Sequence, residues 1–471
     1  MEAKRRELIK QRGQGQANSA APSRLPLGGL RPSAAAKGPP ARSAARSHEM
    51  NDVYMNKMED ALLAMGRTNT SGEVRPSKAD GQCVPNRDSN RRKSCDESPE
   101  CQIEMGSYRY YGPTNISEKF ATGPAELKGQ RLDMSDRNIT CMSVNEQKVV
   151  VGSCDHALYE FNMHTGSRAP RKLYTKNYGH KEWITTVAHF PDGRVVSGAM
   201  DSKVCVWDAR ALKCVDLIGH GGSISVVLAG RDGRTVLSSS YDKTIRFWDV
   251  GRSKPTGVSI LQGHKAPVLG LVWSEDGIVA SGDRAGAVRI WDATVGHSLW
   301  SVENAHEGHV TALAWLPSGA GSNTTALLMS GGQDGQLRVW DHRQKRKTAE
   351  QPLHCSTGGS GAIGQIEYVP QTRTVVTAGA DKRINVVDIR MGFTCRCSYE
   401  DHHDFIYSLA VCGRYAFSGA GDGQILAHDI EDDKLLYGLK SFTSAVRCIG
   451  VTNEQLIAGG DDGKVIVWAM G

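Results

Sequence analysis

Aromatic residues make up only 6% of this 471-residue chain, and no run of 18 apolar residues occurs anywhere in it. The second absence leaves no stretch long enough to cross a membrane as a helix. The opening residues MEAKRRELIKQRGQG carry charges but no apolar segment, so no secretory leader is expected. The phosphate-cradling GxxxxGK[ST], the HExxH pair and a dinucleotide fingerprint following a strand are all missing. No cofactor and no catalytic residue is therefore assigned. The 12 cysteines are scattered, none in a CxxC pair, and Cys395 and Cys397 form a lone CxC. They read as reduced, small apolar side chains of a cytoplasmic or nuclear protein, with no metal site expected.

Glycine is plentiful, 52 residues, which points to many tight turns between short strands. The net charge of +6 is unevenly placed. Residues 1–49 hold ten Lys/Arg against three acids, whereas residues 50–100 hold eight against nine, so the remainder is balanced. A body that bound nucleic acid would itself be basic, so proteins are the expected partners. The Ala-, Gly-, Pro- and Arg-rich arm 1–49 is read as disordered and suited to an acidic partner. In 50–66, Val53, Tyr54, Met58, Ala61, Leu62 and Met65 recur at helical steps, which predicts a short amphipathic helix ending at Gly66. Residues 67–122 read as a polar linker. Within it, Ser94 follows Arg91-Arg92-Lys93 and Ser98 precedes Pro99, two candidate phosphorylation sites.

From about residue 123 a cluster recurs: VCVWD ending at Asp208, IRFWD at Asp249, VRIWD at Asp292 and LRVWD at Asp341. A Ser stands ten residues before each Trp, and an Asp six before it in three of the four. Following the position rather than the letter extends the series to Phe161, Trp207, Trp248, Trp291, Trp340, Val387, His428 and Trp468. Spacings of 40 to 49 residues, with period-two apolar alternation around Asp-Gly and Gly-Asp turns, predict repeated units of short antiparallel strands.

These residues resemble the WD-repeat β-propeller family. The resemblance covers roughly 123–471 and implies an all-β ring, with eight blades expected and seven as the alternative. It also implies a polar network that pins each blade: His180, Ser197, Asp201 and Trp207; His220, Ser238, Asp242 and Trp248; His306, Ser330, Asp334 and Trp340. The unit of His264, Ser281 and Trp291 has Ala285 at the Asp position, so its turn is expected to be looser. In the next unit Gly359 and Thr377 stand for His and Ser before Asp381. His402, Ser418 and Asp422 follow, with His428 for Trp. In the last unit Phe442 and Ala458 take the His and Ser places, and the first keeps only Asp155 and Phe161. A trio repeated this often is structural rather than catalytic. Trp468 lies close to Gly471, so the last outer strand is expected from near Ala125–Leu132, closing the ring.

A propeller of this family presents partners with a rim, here expected to carry Trp183, Tyr241, Arg284, His309, Gln333, His403 and Phe405, with Trp183 and Phe405 exposed. The leading reading is a non-catalytic scaffold or adaptor in a multi-protein complex. On the other side, Arg210, Arg343 and in part Arg390 match the WDxR box of cullin-RING ligase substrate receptors, in which the Arg contacts the adaptor. A structural place in a cytoskeletal or ciliary assembly is a third reading, resting on the basic arm.

Overall fold

The computed structural model describes Ser107 and residues 118–471 apart from 146–147, 164–169, 175–177, 209–212, 252–255, 294–295, 318–325, 355–360 and 441. The arm 1–49, the helix 50–66, Ser94, Ser98, Arg210 and Gly359 lie outside the described residues. No described helix is long and apolar enough to cross a membrane.

The strands form eight four-stranded antiparallel sheets. Each of the first seven uses four consecutive strands, as in the third, which runs Ile224–Ala229, Thr235–Ser240, Ile245–Asp249 and Thr256–Leu261. We number these sheets blades 1 to 8 in chain order, blade 1 starting at Ile139 and blade 8 at Val446. Blade 8 takes three strands from Val446–Val451, Gln455–Gly460 and Lys464–Ala469, and its outer strand is Gln130–Asp133 from the other side of blade 1. Gln130 pairs with Val467 and Asp133 with Lys464. The ring is thus closed by eight blades, as the spacing implied, with a closing strand shorter than the stretch 125–132 suggested.

The core lies in the seams between blades. Val196, Val204 and Val206 of blade 2 pack with Ile224, Val236 and Trp248 of blade 3. Leu237, Ile245 and Phe247 of blade 3 pack with Val268, Val279 and Trp291 of blade 4. The same arrangement recurs to the last seam, where Ile457, Val465 and Val467 meet Val149, Val151 and Phe161. Covered on both faces, second strands lose their alternation: Leu327–Gly332 and Thr374–Gly379 are buried throughout. Each large side chain sealed this way contributes on the order of 2 kcal/mol.

Two local features set the blades against one another. Near its start every first strand slips register by one residue, a bulge that frees a side chain from its own sheet. In four blades the freed residue is Thr or Ser, and its hydroxyl donates to a carbonyl of the next blade: Thr140 to Ile184, Thr185 to Ile224, Ser225 to Val268 and Thr311 to Ile363, at 2.6–2.7 Å. The second feature is a glycine in the second strand. A Cβ on Gly198 would come within 2.5 Å of Ile224 Cγ2, and one on Gly282 within 2.4 Å of Val310 Cγ1. The recurring Ser-Gly is therefore a socket for the following blade.

First strands of six blades line an open cavity of about 670 Å³, with residues such as Ser143, His189, Gln365 and Arg447 in its wall. Part of the segment read as a linker is docked on the ring. Phe120, in the short helix α1 (Lys119–Thr122), is fully buried against Tyr415 and Phe417 of blade 7. Ser107 bridges Gly230, and its hydroxyl donates to the Trp273 carbonyl at 3.3 Å.

Candidate partner-binding rim

The polar residues that recur in the sequence meet inside the blades. In blade 2, His180 Nδ1 lies 3.1 Å from Asp201 Oδ1, His180 Nε2 lies 2.8 Å from Ser197 Oγ, and the Trp207 indole N–H donates to Ser197 Oγ at 2.9 Å. Blades 3 and 5 repeat this with His220, Asp242, Ser238 and Trp248 and with His306, Asp334, Ser330 and Trp340, at 2.7–3.0 Å. One proton arrangement satisfies every member: indole N–H to Ser oxygen, Ser O–H to Nε2, and Nδ1–H to carboxylate. Burial pushes the Asp242 carboxyl up, but the Gly221 N–H, the Thr244 hydroxyl and His220 outweigh it and hold the group at about 2. Ser197, Ser238, Ser281 and Ser330 are 0% exposed, so no substrate reaches their hydroxyls.

The weaker blades are pinned in ways the spacing did not reveal. Blade 4 has Ala285 in the usual Asp place, yet its turn is not loose. Asp283, two residues earlier, reaches His264 Nδ1 at 2.8 Å and accepts the Ala285 and Ala287 N–H groups at 2.9 Å. His264 Nε2 and the Trp291 indole still converge on Ser281 Oγ. In blade 6 the histidine is His354, not Gly359. It lies 2.7 Å from Asp381 and 2.8 Å from Thr377 Oγ1, with Asn385 Nδ2 beside its ring. A longer loop before the first strand had displaced it from the expected spacing.

Blade 7 is pinned on one side only. His402 Nε2 lies 2.7 Å from Ser418 Oγ, but His402 Nδ1 is buried without a hydrogen-bond partner, and the Asp422 carboxylate instead accepts the Gln424 N–H. His428, in the Trp position, stacks on Tyr399 of blade 6 at 4.4 Å and meets Asp401 at 3.0 Å. In blade 8, Phe442 packs edge-on against Trp468, whose indole N–H donates to the Leu127 carbonyl. Blade 1 has a Ser153–Ser135 hydroxyl pair, and its Asp155 takes the Tyr159 hydroxyl and Lys172.

A backbone rule places the rim residues. The N–H of the residue before the turn donates to the carbonyl of the residue before the first strand: Met200 to Trp183, Tyr241 to Ser223, Arg284 to Pro267, Gln333 to His309 and Gly421 to Phe405, at 2.8–3.0 Å. One such pair per blade puts these residues on the same face of the ring. Neighbouring pairs are linked, since Ser223 Oγ donates to the Met200 carbonyl at 3.3 Å and Arg284 Nε donates to His309 Nε2 at 3.3 Å. Trp183, Met200, Ser223 and Tyr241 thus form one strip across blades 2 and 3, with Met200 38% and Tyr241 39% exposed. Several expectations change here. Trp183 and Phe405 are half-buried rather than exposed, and Gln333 is buried, its Oε1 accepting the His309 N–H. His403 is exposed and its carbonyl accepts Lys382 Nζ. Met200 was not anticipated; its place before the turn Asp was the available signal.

A model of the WD domain, G-beta repeat, matches residues 171–208, 212–249, 255–292, 297–341 and 433–469. Together with eight pinned or packed blades closed into a ring, this decides the family. The chain is a WD-repeat protein. The matches run from the outer strand of one blade to the third strand of the next, and they cover the units whose tryptophan is present. Over 319 residues the chain is 26% identical to the ribosome biogenesis protein WDR12 homolog of Drosophila erecta, covering 61% of this chain and 72% of that one. Among solved structures it resembles the computationally designed Ika8 protein, with TM-score 0.61 and 28% identity over 72% of this chain and 98% of that one. It also resembles Chaetomium thermophilum Sqt1, solved bound to the N-terminus of the ribosomal protein L10, with TM-score 0.60 and 17% identity over 73% of this chain and all of that one.

Two WDxR arginines of this WD-repeat protein are described. Arg390 is exposed, and its Nε and Nη2 form a fork on Asp388 of the same motif, at 3.0 and 2.6 Å. Arg343 is exposed, and its backbone N–H donates to Asp341.

Proposed function

We propose that this propeller is a non-catalytic interaction adaptor that holds a segment of a partner protein along the rim of blades 2 to 5. One observation carries the reading: the continuous strip Trp183–Met200–Ser223–Tyr241, extended by the Arg284–His309 pair. Aromatic, Met and Arg side chains supply much of the binding energy at protein interfaces. A rim that joins neighbouring blades also suits an extended segment better than a compact ligand. The sealed serines weigh against hydrolytic chemistry at the His–Asp sets.

Two relatives support a class of partner. One is named for ribosome biogenesis, and Sqt1 was solved with the N-terminus of a ribosomal protein. We therefore favour a subunit of a ribosome-assembly complex, working in the nucleus, over the cytoskeletal reading, which none of these relatives supports. The arm 1–49 would add an electrostatic tether to an acidic partner.

The test is affinity purification of full-length chain carrying Trp183→Ala and Tyr241→Ala. Recovery of ribosomal and assembly proteins should fall about tenfold or more, as loss of two hot-spot side chains implies. Unchanged recovery of every partner rejects the rim as the docking surface. Deleting 1–49 alone should leave most recovery in place.

A further inference from the structure

Three metal-ligating side chains meet on one face of blade 2. Cys205 lies on the third strand, Val204–Trp207, and Cys214 and Asp216 lie on the fourth, Cys214–Leu217. Cys205 is opposite Asp216 and Trp207 opposite Cys214, which sets the two thiols diagonally across the strand pair. Both approach the same carboxylate oxygen: Cys205 Sγ is 3.4 Å and Cys214 Sγ 3.5 Å from Asp216 Oδ1. The three ligand atoms all lie within 4.8 Å of one another. The second oxygen, Asp216 Oδ2, accepts Lys203 Nζ at 2.7 Å. Lys203 therefore leaves Oδ1 aimed at the sulfurs and fixes its direction.

We propose that this cluster is a site for a soft divalent cation of the zinc class, held by Cys205 Sγ, Cys214 Sγ and Asp216 Oδ1. The diagonal placement favours a cation over a disulfide. Diagonal neighbours on paired strands have Cα atoms about 7–8 Å apart, beyond the roughly 6.8 Å limit of disulfide-bonded residues. An ion with metal–sulfur distances of about 2.3 Å in tetrahedral geometry needs sulfurs about 3.8 Å apart. The ligand atoms reach that spacing by closing less than about 1 Å. The charges also suit it. Two thiolates and a carboxylate around a divalent ion leave one negative charge, which the Lys203 ammonium balances. The thiols are buried and Asp216 reaches the surface, giving an ion a way in and a water the fourth position. His180 Nδ1 is 3.8 Å from Cys205 Sγ, but both its nitrogens face Asp201 and Ser197, so it is not a ligand. Binding releases the two thiol protons to solvent and leaves Lys203 charged, so affinity falls as the pH is lowered.

The test titrates Cd²⁺, as a zinc surrogate, into the full-length reduced chain, following thiolate-to-metal charge-transfer absorption and proton release. Cys395 and Cys397 are replaced by serine throughout, because Cys395 is the exposed thiol of the described set. One tight step with release of about two protons is expected. The step should vanish with Cys205→Ser plus Cys214→Ser. Asp216→Asn, at the surface, should weaken it about tenfold or more while the fold is kept. Lys203→Gln, removing the positioning residue, should weaken it about tenfold while the thiolate band remains. No charge-transfer band in the parent chain overturns the site, as does a band and affinity unaffected by Asp216→Asn.

Discussion

Blades 2 to 5 and the run from blade 6 through 8 to blade 1 have the same strand order and the same seams, but their turns are held by different means. In the first group a histidine, a carboxylate, a serine and a tryptophan form a saturated buried network. In the second the network is re-sited in blade 6, half-made in blade 7 and replaced by aromatic packing in blade 8. A propeller therefore tolerates loss of the pin where the seam is well packed. The pin adds fixed register to a blade whose apolar seams already hold it in place.

The largest test of this comparison sets tryptophan against its substitute. Trp207→Ala should lower stability by about 3–5 kcal/mol, through lost contacts and an indole-sized cavity. Val387→Ala should cost about 2 kcal/mol, and Val387→Trp should destabilise rather than restore, because Ile389 and Phe393 already fill that cluster. Urea midpoints measured on the full chain decide this; equal costs at both positions would erase the distinction between the two halves.

A smaller effect tests the displaced carboxylate. Asp283→Gly should cost about 3 kcal/mol, because His264 Nδ1 and the Ala285 and Ala287 N–H groups lose their acceptor. Adding Ala285→Asp should recover most of that loss by recreating the arrangement of blades 2, 3 and 5. If the double variant is no more stable than the single, the two positions are not alternative sites for one group.

The last effect, spread over a range of conditions, is a dependence on pH. Burial holds the His402 ring at about 4, with Asp422 opposing and His428 reinforcing the shift. The unfolded ring titrates near 6.5. Between these values the unfolded chain binds a proton that the folded chain does not. Stability from this group is therefore present above about pH 6.5 and is lost on acidification towards 4, by up to about 3 kcal/mol. Asp242, held at about 2, keeps its contribution until the pH falls through the unfolded carboxyl range of about 4 towards 2. Burial lowers His220 of blade 3 as well, but its direct hydrogen bond with Asp242 opposes the shift, a bond His402 lacks. Blade 7 should thus loosen before blade 3, visible as earlier hydrogen exchange of Tyr415–Ala420 than of Thr235–Ser240 as the pH is lowered. His402→Asn should reduce the slope of the midpoint between about pH 6.5 and 4. His189, buried in the cavity wall and also held at about 4, should keep part of the slope, as should His220, His306, His342 and His428, which burial also lowers.

The ring and its eight units were legible because Trp or its substitute recurs at a nearly fixed interval, and a buried strand tolerates little else there. The identity of the pins was legible only where the histidine keeps its usual distance from the first strand. His354 escaped because it stands nine residues before its first strand at Ile363, against four from His180 to Ile184 and four from His306 to Val310. Asp283 escaped because two neighbouring positions on one turn can point a carboxylate at the same imidazole. The half-burial of Trp183 and Phe405 depends on neighbouring loops, which no local pattern encodes. The Cys205–Cys214–Asp216 cluster was hidden because eight residues of chain separate thiols that strand pairing brings back together.

The strand Gln130–Asp133 pairs with residues made more than three hundred positions later. During synthesis it leaves the ribosome with its partner edge still unmade, while each intervening blade can settle against the one before it. Closure is then the last event and a single one, with four residues serving as the clasp of a necklace whose beads are already strung. Two chains caught at that stage offer each other the same free edge and the same waiting strand, so crowded nascent copies should be where this ring first goes wrong, by fastening to a neighbour rather than to itself.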